Sequence, residues 1–330
     1  MSEVRTIRPF IVRFWGTRGS MPVAATAKDV REKIVDALLT AQGRSFESRQ
    51  DAERFAIERL GFAGTATYGG ATCCVEIDCN DDAFFICDMG SGLHPLGVDA
   101  SSRCAAGRRK RYNFFLSHLH TDHLLGLPAF LPGRDVDSEI IIHSCHAETE
   151  ELLCRQLAEA THARPQESWE AALQFVTLTP GQQAMIDGIL VDTIEQQHPG
   201  DSYGYRFTNK AGRTVIYSTD SEHNIDDMQA GEERFVTFFE GADLVICDTM
   251  YSLAKSTTTK EHQGHSSNVV AIDLCHLAGA KRLALFHHDP LHDDADIQQL
   301  HEDSVRYEEL TREGPPLEIF CAYDGLEVRV

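Results

Sequence analysis

Residues 115–126 read Phe-Leu-Ser-His-Leu-His-Thr-Asp-His-Leu-Leu-Gly, so the six positions from His118 to His123 carry three imidazoles and a carboxylate. The apolar run Asn113–Leu116 predicts a short strand, which places the cluster on the loop at its C-terminal end. His118 and His120 stand two apart, and an extended backbone puts both on one face. Asp122 and His123 follow as the chain turns, and the segment His123–Phe130 (HLLGLPAF) looks like the start of a helix. No single helix or strand aims all four side chains at one ion. The pattern therefore predicts two adjacent metals, with His118 and His120 serving one and Asp122 and His123 the other.

Further ligands must come from elsewhere. Three apolar strand-like runs close on a metal-seeking residue: His198 before Pro199-Gly200, Asp220 at the end of Val215–Asp220, and His287 after Leu283–Phe286. Asp220 can bridge with its two oxygens. The candidate metal set is His118, His120, Asp122, His123, His198, Asp220 and His287. Imidazole mixed with carboxylate suits zinc, and also manganese or iron.

The chain around these residues alternates strands and helices, with several strands in hairpin-like groups. Phe10–Val23 reads as a strand and a Gly-rich turn. Apolar spacing predicts two helices across 28–60, broken near Gly43, as an insertion into one domain spanning 1–330. That amphipathic insertion reads as a peripheral pair, a lid or a dimer contact, and a homodimer is expected. Sheets inside and helices outside are the expected architecture, an α/β (α+β) class.

Of the 330 residues, 42% are hydrophobic and 25% charged, ordinary for a soluble globular enzyme. A core of this size folds without disulfides or a structural metal, so any metal is functional. Ten cysteines without a C-x-x-C pair predict reduced thiols. No signal-peptide core or run of roughly 18 apolar residues is evident, so a cytoplasmic protein without membrane contact is expected. The net charge of -21 repels polyanions and argues against tRNA or duplex DNA as substrate. A small anion held at a metal remains compatible with it.

With His118, His120, Asp122, His123, His198, Asp220 and His287 in that order, the chain resembles the metallo-β-lactamase superfamily along nearly its whole length. The resemblance implies a four-layer αββα sandwich with a dinuclear site along one edge. Gly16–Pro22 (GTRGSMP), Tyr68–Ile77 (YGGATCCVEI), Ile86–Leu93 (ICDMGSGL), Ala242–Tyr251 (ADLVICDTMY), Gly264–Ser267 (GHSS) and Phe286–Pro290 (FHHDP) resemble the ribonuclease Z and cyclic-nucleotide phosphodiesterase-like branch. Ala71 departs from an Asn common there. Lactamases of this superfamily use a Cys where this chain has Asp220, which argues against β-lactam hydrolysis. Ribonuclease Z carries a tRNA-gripping arm between the lone His and the bridging Asp. Here the two stand 22 positions apart, enough for a hairpin.

The resemblance thus implies a phosphodiesterase acting on small anionic diesters such as cyclic nucleotides; a thioester or lactone hydrolase and an RNA endonuclease are the alternatives. Two divalent ions would supply hydroxide at neutral pH for in-line attack on phosphorus, with Asp122 orienting the nucleophile. His265 would contact a phosphoryl oxygen or protonate the leaving oxygen, its tautomer fixed by Asp248. Ser266 would cap the following helix near the phosphate. Arg18 would meet the phosphate or brace the Gly-rich turn.

Overall fold

The computed structural model describes residues 9–79, 83–163, 169–223, 233–252 and 264–330. Fourteen strands form two mixed sheets of seven among the described residues. The first sheet has the order β14-β1-β2-β3-β4-β5-β6. It comprises β1 (Ile11–Gly16), β2 (Cys74–Asp78), β3 (Phe84–Cys87), β4 (Arg111–Phe115), β5 (Glu139–Ser144), β6 (Ala172–Thr177) and β14 (Glu327–Arg329). The second has the order β13-β12-β11-β10-β9-β8-β7. Its strands are β7 (Ala184–Ile186), β8 (Ile189–Gln196), β9 (Ser202–Thr208), β10 (Thr214–Ser218), β11 (Leu244–Asp248), β12 (Arg282–Phe286) and β13 (Glu318–Cys321). The turn expected at Asn80–Asp82 lies outside the described residues.

Side-chain alternation explains the layering. In β1 every second residue is buried, and Phe10, Val12 and Phe14 meet Tyr217, Leu244, Ile246 and Phe286 of the opposite sheet in one core. Strands in the middle of each sheet are buried on both faces, because helices cover the outside. On one outer face, α3 (Leu93–Ala105) and α4 (Thr149–Ala163) pack on Phe84, Ile86, Phe114 and Ile142. On the other, α5 (Glu233–Phe239), α6 (Asn268–Ala278) and α7 (Asp294–Thr311) cover Ile216, Val245, Leu283 and Leu285. The result is the αββα sandwich. No described helix is long and apolar enough to cross a membrane.

The insertion forms α1 (Ala27–Thr40) and α2 (Arg49–Thr65). Thr26 caps α1 through a capping box with Asp29, and Ser48 caps α2, so each helix starts on its own local signal. The pair is tied to α7 by Lys33, which donates to Asp294, and by the Ala63 amide, which donates to Gln298. Val30, Ile34 and Leu38 stay exposed.

His123–Phe130 does not begin an α-helix. It forms short 3-10 turns at Thr121–His123, Leu127–Ala129 and Leu131–Arg134. Pro128 and Pro132 lack the amide hydrogen a continuing helix needs.

Phe115 ends β4 directly before the histidine run. Its fully buried ring packs 5.7 Å from Phe85, 5.0 Å from Phe207 and 5.6 Å from Tyr205, centroid to centroid. Phe115→Ala is expected to lower unfolding stability by about 3–5 kcal/mol, measured by chemical denaturation.

Candidate metal centre

Strand direction gathers the site. β3, β4 and β5 run parallel, as do β10, β11 and β12. β8 lies two antiparallel steps from β10 and so points the same way. Asp88, His118, His198, Asp220, Asp248 and His287 therefore leave or end their strands at C-terminal ends along one edge. Three of these residues turn sharply there into the left-handed region: Asp88 (φ 59°), Asp220 (φ 49°) and His287 (φ 60°). That region is uncommon for side chains as large as imidazole and points to a functional constraint.

The structure brings all seven candidate ligands together around the buried Asp220. Its Oδ2 lies 3.7 Å from Nε2 of both His118 and His198. Its Oδ1 lies 3.3 Å from His123 Nε2 and 3.1 Å from His287 Nε2. His120 joins the first side, with Nδ1 3.2 Å from His198 Nε2. Asp122 joins the second, its Oδ2 3.2 Å from His123 Nε2 and 3.7 Å from His287 Nε2. The Ser20 amide donates to that same Asp122 oxygen at 2.9 Å.

Tautomers are set from behind. His123 Nδ1 donates to Asp88 at 2.7 Å, and His198 Nδ1 donates to the Gly264 carbonyl at 2.8 Å. His118 Nδ1 donates to Ser117 Oγ at 3.0 Å, and that hydroxyl donates onward to Asp88 at 2.8 Å. Each bond leaves Nε2 with its lone pair toward Asp220, the arrangement a metal-ligating histidine needs. Nε2 of His118, His123 and His287 is buried without a hydrogen bond of acceptable geometry. Buried polar atoms are rarely left so, and a cation is the partner that fits this donor set. Burial pushes the His118 imidazole toward its neutral, ligating form.

Two glycines permit this packing. A Cβ on Gly19 would lie 2.4 Å from the His287 ring, and one on Gly264 would lie 2.4 Å from His198 Nδ1.

His265 sits at the rim. Its Nδ1 donates to Asp248 at 2.7 Å, and its ring stacks on His287 with centroids 5.0 Å apart. Arg18 is buried and donates to the carbonyls of Gly69, Asp289 and His292, so it braces the Gly-rich turn. Ser266 does not cap α6. Ser267 does, accepting from the Val270 amide, while Ser266 donates to the Ser221 carbonyl and accepts from the His223 amide at 3.0 Å. His288 is buried and donates from Nε2 to the Ala322 carbonyl.

Asp88 received no role from the sequence. Besides His123 and Ser117 Oγ, it accepts from the Ser117 amide and the Tyr217 hydroxyl. The available signal was the one that marked Asp220, an aspartate closing an apolar strand. Asp88→Asn tolerates the same backbone turn but loses the charge opposite His123. Metal affinity is expected to fall about 10–100-fold in competition with a chromophoric chelator, with the circular dichroism spectrum retained.

A family model described as a beta-lactamase superfamily domain matches residues 111–288. The chain is similar to ribonuclease BN of Escherichia coli O81 (strain ED1a), 27% identical over 231 residues that cover 56% of this chain and 73% of that protein. Its fold is similar to that of YhfI, a metallo-beta-lactamase fold protein from Bacillus subtilis, with a TM-score of 0.64 at 18% identity. The match covers 98% of this chain and 100% of YhfI. It is also similar to yeast PDE1, with a TM-score of 0.60 at 14% identity over 98% of this chain and 100% of that one.

Proposed function

Because the chain belongs to the beta-lactamase superfamily, a metal-dependent hydrolase fold, we propose that it is a two-metal phosphodiesterase acting on small anionic diesters such as cyclic nucleotides. The observation that carries the reading is the division of Asp220, whose Oδ2 faces His118 and His198 while Oδ1 faces His123 and His287. A carboxylate so placed suits a bridge between two ions. His118, His120 and His198 would complete one coordination shell, and Asp122, His123 and His287 the other. The nitrogen-rich set favours zinc.

Bound there, two divalent ions supply Lewis acidity toward phosphoryl oxygens and a nucleophile at neutral pH. Asp122, fixed by the Ser20 amide, orients what attacks. His265 is outside both shells, with Nδ1 committed to Asp248. Its Nε2 is then the atom that donates a proton to the leaving oxygen or a hydrogen bond to a phosphoryl oxygen.

A second reading, RNA cleavage, is favoured by the 27% identity to ribonuclease BN. Against a large RNA stand the net charge of -21 and the short passage from His198 to Asp220. That passage consists of the β9–β10 hairpin, closed by the Asn209–Arg213 turn, and has no projecting arm.

A substrate panel decides. Zinc-loaded protein is expected to hydrolyse bis-(p-nitrophenyl) phosphate and 2′,3′- or 3′,5′-cyclic nucleotides. Turnover of a lactone or thioester with no diester hydrolysis would sink the proposal, and preferred cleavage of precursor tRNA would establish the second reading instead. His265→Ala is expected to lower kcat on the diester about 10²–10⁴-fold while metal content stays at the wild-type value.

A further inference from the structure

Cys73 and Cys74 are adjacent at the start of β2 and join different cores. Cys74 joins the outer cluster with Phe84 and Met89. Cys73 turns inward and joins the core between the sheets, at the margin where the metal centre begins. Its Sγ and one ring nitrogen each of His123 and His287 lie no farther than 4.8 Å from one another. Both imidazoles are fully buried, and each has an Nε2 without a hydrogen bond of acceptable geometry. Cys73 Sγ itself donates to the Arg18 carbonyl at 3.4 Å, a weak interaction for a thiol.

We propose that Cys73 is an additional metal donor on the His123/His287 side of the centre, giving that ion a sulfur ligand. The inference rests on the two-metal reading above and extends it to the identity of the metal. Zinc binds thiolate at about 2.3 Å and imidazole at about 2.0–2.1 Å, and Cys73 would be a fifth protein donor beside Asp122, His123, His287 and Asp220, with sulfur and nitrogen donors on one ion roughly 3.1–3.6 Å apart. The thiol and the two ring nitrogens already lie within 4.8 Å of one another. On coordination the S–H bond breaks, the proton leaves to solvent and the sulfur–metal bond forms, with no change in oxidation state. The contact to the Arg18 carbonyl is given up in the same step. Thiolate is a soft donor, so this side of the centre prefers zinc, cobalt or cadmium over manganese or magnesium. The other side, built from His118, His120 and His198, has no thiol among its described neighbours in the donor groups.

The test uses the full chain loaded with zinc and, separately, with cobalt(II). Zinc X-ray absorption is expected to show a sulfur shell at about 2.3 Å beside nitrogen and oxygen. The cobalt form is expected to show a thiolate-to-metal charge-transfer band in the near ultraviolet. Cys73→Ser should lose that band while keeping the visible d–d bands, and Cys74→Ser should keep both. Loaded wild-type protein with only nitrogen and oxygen neighbours overturns the inference and leaves the two-metal reading standing. A charge-transfer band that survives Cys73→Ser overturns it as well. Protein that takes up neither metal overturns both readings. Should Cys73→Ser fail to fold, the absorption spectrum of the wild-type protein decides alone.

Discussion

Four imidazoles converge on the carboxylate of Asp220, and the rest of the molecule is arranged around that meeting. Asp220 is 2% exposed, and a buried carboxylate is stable only where its charge is answered. Oδ2 faces Nε2 of His118 and His198, and Oδ1 faces Nε2 of His123 and His287, and a cation held among these atoms would answer the charge. These partners come from β4, β8 and β12, strands drawn from both sheets. The edge-on convergence therefore requires two sheets packed face to face with their relevant strands pointing the same way. The cores of aromatic and branched residues between and outside the sheets hold that alignment, and the helices seal the outer faces.

Sequence spacing exposed the part of this design that strand periodicity controls. His118 and His120 announce themselves by proximity, and His198, Asp220 and His287 by closing apolar runs. The αββα sandwich followed from the order of strands and helices together with the resemblance. What escaped depends on distances that sequence does not encode. Arg18 lies in a Gly-rich loop where a phosphate contact and a structural brace look the same; three backbone carbonyls from distant segments decide for the brace. Ser266 and Ser267 offer identical capping chemistry, and only the backbone conformation at Ser267 places it at the helix start. Asp88 ends a strand as Asp220 does, but its four donors converge from the histidine loop after β4 and from β10.

The overall charge and the local chemistry act at different ranges. A net charge of -21 sets the long-range field, which is screened beyond roughly 8 Å at physiological ionic strength. Within the centre, the carboxylates of Asp122 and Asp220 supply two negative charges, against the four positive charges that two divalent ions would bring. Under the proposed function the acidic surface disfavours a long polyanion that must lie along it. A small diester reaching the ions alone meets a locally positive site.

The hydrogen bonds behind the ligands bear on how the centre forms. Ser117 fixes His118, Asp88 fixes His123, and the Gly264 carbonyl fixes His198. These three anchors differ in chemistry and come from three separate segments, so no local rearrangement releases all the rings together. Gly19 and Gly264 remove the side chains that would otherwise displace His287 and His198. The rings are therefore oriented by the fold itself. Ordering side chains at the moment of binding costs free energy, and anchored rings avoid most of that cost. The positive φ values at Asp88, Asp220 and His287 are the backbone counterpart: local strain at the strand ends, sustained by the two-sheet core, in exchange for donors that already point at a common centre.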